Sequence, residues 1–209
     1  MSSKFKIAVL ISGGGTTLKN LLKWQNENRL SAEVCLVVSS NPDAGGLKFA
    51  SENGISAEVV SVKDYDSIES FSESIFQLIR EAGVQLVVMG GFLRRVKIPF
   101  DFENRVVNIH PSLIPAFCGQ GMYGTRVHRA VLDYGAKLSG CTVHFVDDQY
   151  DHGPIIAQKS VEVESDDTPA TLAKKVFAEE CQLYPRIINA IAEGRVHIQQ
   201  RSVMLETNV

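Results

Sequence analysis

Continuous apolar runs separated by longer amphipathic stretches constrain this sequence most. "FKIAVLI" (5–11), "AEVCLVVSS" (32–40), "AEVVSV" (57–62), "VQLVVMGG" (84–91) and "VVNIH" (106–110) read as strands. They do not alternate in polarity, which is the pattern of a parallel sheet covered on both faces by helices. Between them, "TLKNLLKWQN" (17–26), "AGGLKFASENG" (44–54) and "YDSIESFSESIFQLIREAG" (65–83) carry helical spacing. In the last, Ile68, Phe71, Ile75, Leu78 and Ile79 share a face and Gly83 supplies a stop. This repetition predicts right-handed crossovers and an α/β fold with an open, doubly wound, mostly parallel sheet.

The later sequence changes character. "LSGCTVHFVDD" and "PIIAQKSVEV" are joined by only a few residues and read as an antiparallel pair. A long helix over about 169–192, stopped by Gly194, and a last strand "RVHIQ" follow. No linker, repeat or low-complexity stretch interrupts the chain. A single domain over 1–209 is expected, with an N-terminal half of about 1–105 and a C-terminal half of about 106–209.

At 209 residues and 44% hydrophobic content, the chain is long enough for one large core. A net charge of −3 suggests no nucleic-acid surface. No apolar run reaches the roughly 18 residues of a membrane span, and the start of the chain lacks a signal-peptide cleavage pattern. Cys35, Cys118, Cys141 and Cys181 form no C-x-x-C pair, so reduced thiols in a cytoplasmic protein are expected, without a metal site. Cys118, in a loop, is a minor candidate nucleophile.

"VLISGGGTTLKNL" sets three glycines between a strand and a helix. Glycines let the backbone approach a ligand, and the free N–H groups of the following helix favour an anion. Thr16 and Thr17 add hydroxyls and are candidate caps. The spacing matches neither the nucleoside-triphosphate loop nor the full dinucleotide fingerprint. A single phosphate fits it, as does a tight turn with no ligand.

Asn108 and His110 stand two apart on a strand and so share a face. They lie at the strand's C-terminal end, where open α/β sheets bind ligands. His110 can donate to a developing oxyanion or move a proton, and the Asn108 amide can donate to the same oxygen. The alternative is a pair of strand-end caps. "HFVDDQYDHGPII" offers Asp147, Asp148 and Asp151 as carboxylates to orient an imidazole, and spacing alone does not choose among them. His128 and His144 read as structural or peripheral. His152 falls in a turn and His197 near an edge.

"VLISGGGTTL", "GGFLRRV", "NIHPSLIPAF", "GCTVHFVDDQYDHGPIIAQ" and "EECQLYP" occur in order and together resemble the phosphoribosylglycinamide formyltransferase family. The likeness runs from about residue 5 to 200. It implies a Rossmann-like formyltransferase fold and transfer of a formyl group from 10-formyltetrahydrofolate, as co-substrate, to the amine of glycinamide ribotide in purine synthesis. It implies Asn108, His110 and Asp151 as the catalytic trio, and Gly15, Thr16, Thr17 and Glu180 as ribotide contacts. Leu93, Arg94, Arg95, Val96, Asn108, Asp147, Asp148, Gln149, Tyr150 and Asp151 would meet the folate. The N-terminal half would then bind phosphate, and the C-terminal half folate. No metal, nucleic acid or membrane is implied, and the protein would be a monomer or homodimer.

Formyltetrahydrofolate deformylases share the loop and the motif and remain the alternative, together with a transferase for another amine. They usually carry a regulatory domain before the loop, whereas four residues precede Phe5 here, so the transferase is the expectation. The family pattern is broken at three places. Thr17 stands where an Asn is usual, and Ile68 where a basic residue is common. Cys118 and "GQGMYGTR" replace a shorter proline-containing stretch. Gly119, Gly121 and Gly124 mark this stretch, about 117–126, as a mobile lid covered by Met122 and Tyr123.

Overall fold

The structure, a computed structural model, describes residues 4–206; the three residues at each end of the expected domain lie outside the described residues. Nine strands and five α-helices are found among the described residues. The strands β1 (Phe5–Ile11), β2 (Ala32–Ser39), β3 (Ser56–Val59), β4 (Leu86–Met89), β5 (Val106–His110), β6 (Leu138–Phe145) and β7 (Ile155–Glu162) form a sheet in the order β3-β2-β1-β4-β5-β6-β7. A hairpin of β8 (Val196–Gln199) and β9 (Ser202–Leu205) stands separately. The chain divides into two compact units, Met1–Asn108 and Ile109–Val209.

In the first unit every strand pairing is parallel. The continuous apolar runs are the reason. Ile7, Ala8, Val9, Leu10 and Ile11 have no solvent exposure, and neither do Val87 and Val88. Helices α1 (Thr16–Asn26) and α3 (Ile68–Glu81) bury Leu18, Leu21, Leu22 and Trp24, and Phe71, Ile75, Phe76 and Ile79. Between them lies the short α2 (Gly46–Glu52). The third helix begins later than its spacing suggests, because Ser67 caps it by accepting the Ser70 N–H at 3.1 Å. β3 is shorter than expected and fully exposed, since it is an edge strand paired only with β2.

The order 3-2-1-4-5 reverses between β1 and β4. Loops leaving the carboxyl ends of these two strands are where such sheets bind ligands. Ser12 joins the two loops: its Oγ accepts the Leu93 N–H at 2.9 Å and shares a hydrogen bond with Ser40 Oγ at 2.7 Å.

In the second unit β6 and β7 pair antiparallel, as expected. The long helix α5 (Pro169–Ala192) has the predicted bounds, with Pro at its start and a Thr168–Thr171 capping box. One helix was not anticipated. α4 (Thr125–Tyr134) follows the glycine-rich stretch, buries Val127, His128 and Val131, and ends at a left-handed Gly135. It buries only two apolar residues and a histidine, too short a signal beside the glycines before it. The hairpin partner β9 was also missed, because its four residues alternate at an exposed surface.

The first-unit glycines are not interchangeable. Gly15 has φ +71°, and a Cβ on it would collide with the Gly46 backbone; one on Gly13 would meet open space. Gly15→Ala should therefore cost about 1–3 kcal/mol in urea unfolding, and Gly13→Ala no more than about 0.5 kcal/mol. Equal midpoints for the two variants would contradict this packing.

Candidate active site

The glycine loop is built by a close backbone crossing. Gly46 N–H donates to Gly13 O at 3.1 Å, and only glycine at 15 and 46 lets these chains approach. Gly15 is the N-cap of α1, without a side-chain cap hydrogen bond. The threonines are thus not caps: Thr16 is the first helical residue, and the left-handed cap position is taken by the residue without a Cβ. The leading N–H groups of α1 have no partner within the helix. With the helix dipole they favour an anion beside Gly15, Thr16 and Thr17. The same unit holds Leu93, Arg94 and Arg95, which are exposed, and Val96, which is buried.

Asn108 and His110 share a face of β5. Asn108 is half-buried, and the His110 side chain retains 4% exposure. Within the second unit, Asp151 is the carboxylate brought to His110. Its Oδ2 lies 3.4 Å from His110 Nδ1 and accepts the Gly119 N–H at 2.8 Å. His110 Nε2 lies 2.9 Å from the Phe117 carbonyl oxygen. Both ring nitrogens therefore face oxygen acceptors. Asp151 has φ +51°, within the left-handed region that Asp tolerates better than most residues.

The turn that delivers Asp151 is fixed at its Gly153–Pro154 end. Phe145 N–H donates to Pro154 O at 2.9 Å, and a Cβ on Gly153 would collide with the Phe145 carbonyl oxygen. The loop after His110 is held by Thr142, which donates to Ser112 O at 2.7 Å and accepts the Ile114 N–H at 3.0 Å. Asp147 is engaged elsewhere in the turn: it accepts the Gln149 N–H at 2.9 Å and faces His152 Nδ1 at 2.6 Å. Gln149 and Tyr150 are exposed.

His144, read from sequence as peripheral, stands beside the pair. Its Nε2 is 3.8 Å from Asp151 Oδ1, and its Nδ1 is 2.8 Å from Phe145 O. Burial pushes this imidazole below its ordinary range; the Phe145 carbonyl and Asp151 oppose that shift. The signal was its place at the end of the strand that runs into the Asp turn. His128 is likewise lowered, by burial and then by His110, and its Nδ1 has no hydrogen-bond partner. Burial, and secondarily Asp151, pushes the Cys118 thiol up, which disfavours the thiolate that a nucleophile needs. No cluster of three His, Cys, Asp or Glu side chains that could hold a metal occurs among the described residues. None of their helices is long and apolar enough to cross a membrane.

These features coincide with a known family. A model of the formyl transferase family matches residues 5–188, and the chain belongs to that family. It is 38% identical over 206 residues to the chloroplastic phosphoribosylglycinamide formyltransferase of Arabidopsis thaliana, covering 97% of this chain and 70% of the plant protein. It is 37% identical over 199 residues to the trifunctional purine biosynthetic protein adenosine-3 of Gallus gallus, of which it spans 19% while 94% of this chain is covered. Among solved structures, glycinamide ribonucleotide transformylase 1 of Symbiobacterium toebii superposes with a TM-score of 0.91 at 39% identity, covering 98% of this chain and 95% of that one.

Glu180 lies half-buried on α5, and burial pushes its carboxyl up to about 8 from 4.5. A raised carboxyl binds its proton more tightly when folded. Its contribution to stability is complete below pH 4.5 and is lost as pH rises to about 8. The melting temperature of Glu180→Gln relative to the parent should therefore climb between these pH values and level off above them. A difference independent of pH would contradict the burial of this carboxyl.

Proposed function

We propose that this protein transfers the formyl group of 10-formyltetrahydrofolate to the amine of 5-phosphoribosylglycinamide, in the synthesis of purines. The observation that carries the proposal is the His110–Asp151 pair: a nearly buried imidazole faced by a carboxylate, with Asn108 on the same strand face. Gly15, Thr16 and Thr17 are assigned to the ribotide phosphate, and Glu180 to the ribotide's ribose or glycinamide part. Leu93, Arg94, Arg95, Val96 and Asp147 to Asp151 are assigned to the folate. The four free cysteines fit a reducing compartment, and we place the protein in the cytoplasm.

The amine nitrogen forms a bond to the formyl carbon, and the carbonyl electron pair moves to oxygen. His110 and Asn108 donate hydrogen bonds to that oxygen, where charge develops. Asp151 keeps the imidazole oriented and takes the proton the amine must lose. The bond from the formyl carbon to the folate nitrogen then breaks, and that nitrogen receives the proton. The Phe117 carbonyl occupies His110 Nε2 and the Gly119 N–H occupies Asp151. The stretch from Phe117 to Gly124 therefore acts as a lid that gives way to substrate.

Incubation with 10-formyltetrahydrofolate, with and without the ribotide, tests the assignment. Tetrahydrofolate and formylated ribotide should appear together and only when ribotide is present; tetrahydrofolate and formate without ribotide would indicate a deformylase. In the same assay Asp151→Asn should fold normally and lose about 10²–10⁴-fold in turnover. Parental turnover by that variant would remove Asp151 from the chemistry.

A further inference from the structure

The turn that carries Asp151 is tied to the β8–β9 hairpin by a relay outside the catalytic trio. His152 Nδ1 lies 2.6 Å from Asp147 Oδ2, and Arg201 Nη1 lies 3.2 Å from His152 Nε2. Arg201 Nη2 also donates to the His152 carbonyl oxygen at 2.7 Å. Arginine only donates. The geometry therefore sets His152 as the neutral tautomer that carries hydrogen on Nδ1, donates to Asp147 and accepts from Arg201. Asp147 Oδ1 meanwhile closes the turn through the Gln149 N–H. The guanidinium thus grips the residue after Asp151 by both side chain and backbone, while Asp147 holds the beginning of the same turn.

We propose that Arg201, His152 and Asp147 form a positioning clamp for Asp151. The reason lies in the backbone. Asp151 sits at φ +51°, a conformation that needs its surroundings to hold it. On the far side Gly153 and Pro154 are fixed against Phe145. The near-side constraint on this turn comes from the clamp. Its release lets the Asp151 carboxylate drift from His110, and misplacement by about 1 Å can cost as much as 10²-fold in rate. Arg201 and His152 are assigned no substrate contact and are positioning residues; Asp147, also assigned to the folate, serves the clamp through its contact with His152. The inference rests on the formyl-transfer reading.

The test is a double-mutant cycle on Arg201→Ala and His152→Leu in the full chain. Each single variant should lower kcat about 10-fold, leave the ribotide KM within about 2-fold, and melt close to the parent. The double variant should be no slower than the worse single variant, because the clamp acts as one unit. Parental kcat in both single variants, or losses that multiply, would overturn the proposal. A second readout does not need turnover. In nitrogen-15 spectra of the unliganded parent, the His152 ring should show a proton on Nδ1 only, and Arg201→Ala should shift its Nε2 resonance. A parent without formyl transfer but with these spectra would reject the assigned reaction and leave the relay standing. Spectra with Nε2 protonated, or unmoved by Arg201→Ala, would reject the relay itself.

Discussion

Asp151 is the residue on which the geometry of the candidate site in the second unit depends. Its carboxylate is only 12% exposed and is met by the His110 ring at 3.4 Å and the Gly119 N–H at 2.8 Å. A carboxylate removed from water needs such partners, because burial penalises its charge. The surrounding structure serves this arrangement. Glycine at 153 lets the turn press against the Phe145 carbonyl, and the left-handed backbone at 151 then turns the side chain toward His110. His144, whose imidazole is pushed below its ordinary range by burial, stands on the other side, 3.8 Å from Asp151 Oδ1. The imidazole in turn has an acceptor at each nitrogen.

The first unit solves a different problem, that of presenting backbone donors. Parallel strands buried on both faces fix β1 and β4 side by side, and their carboxyl ends open at the reversal of strand order. Ser12 holds the two loops together through Leu93 and Ser40. The glycine crossing at 15 and 46 sets the start of α1, whose leading amides have no partner within the helix. Donors held in place in this way bind an anion without ordering a flexible side chain. Thr17 in place of the usual Asn leaves those backbone donors unchanged.

Much of this was legible in the sequence, because it rests on local signals. The continuous apolar strands announced the parallel sheet, and the bounds of the long helix α5 follow from Pro169 and Gly194. Alternation along β5 placed Asn108 and His110 on one face. What escaped notice depends on contacts between residues far apart in sequence. Spacing could not choose Asp151 over Asp147 and Asp148; the fold brings the Asp151 carboxylate 3.4 Å from His110 Nδ1. The helix α4 was hidden behind Gly119, Gly121 and Gly124, whose freedom suggested only a loop. His144 gave no periodic signal, and Arg201 meets His152 across 49 residues of sequence.

The central claim is that Asn108 and His110 act on charge that develops during transfer, with Asp151 holding the imidazole. Rapid-quench single-turnover rates of Asn108→Ala and His110→Ala, set beside equilibrium titration of each with the ribotide, measure this most directly. The account predicts near-parental ribotide affinity with single-turnover rates lowered about 10²–10³-fold, the usual cost of losing one oxyanion donor. Parental single-turnover rates with weakened ribotide affinity would make these two side chains binding groups and contradict the account.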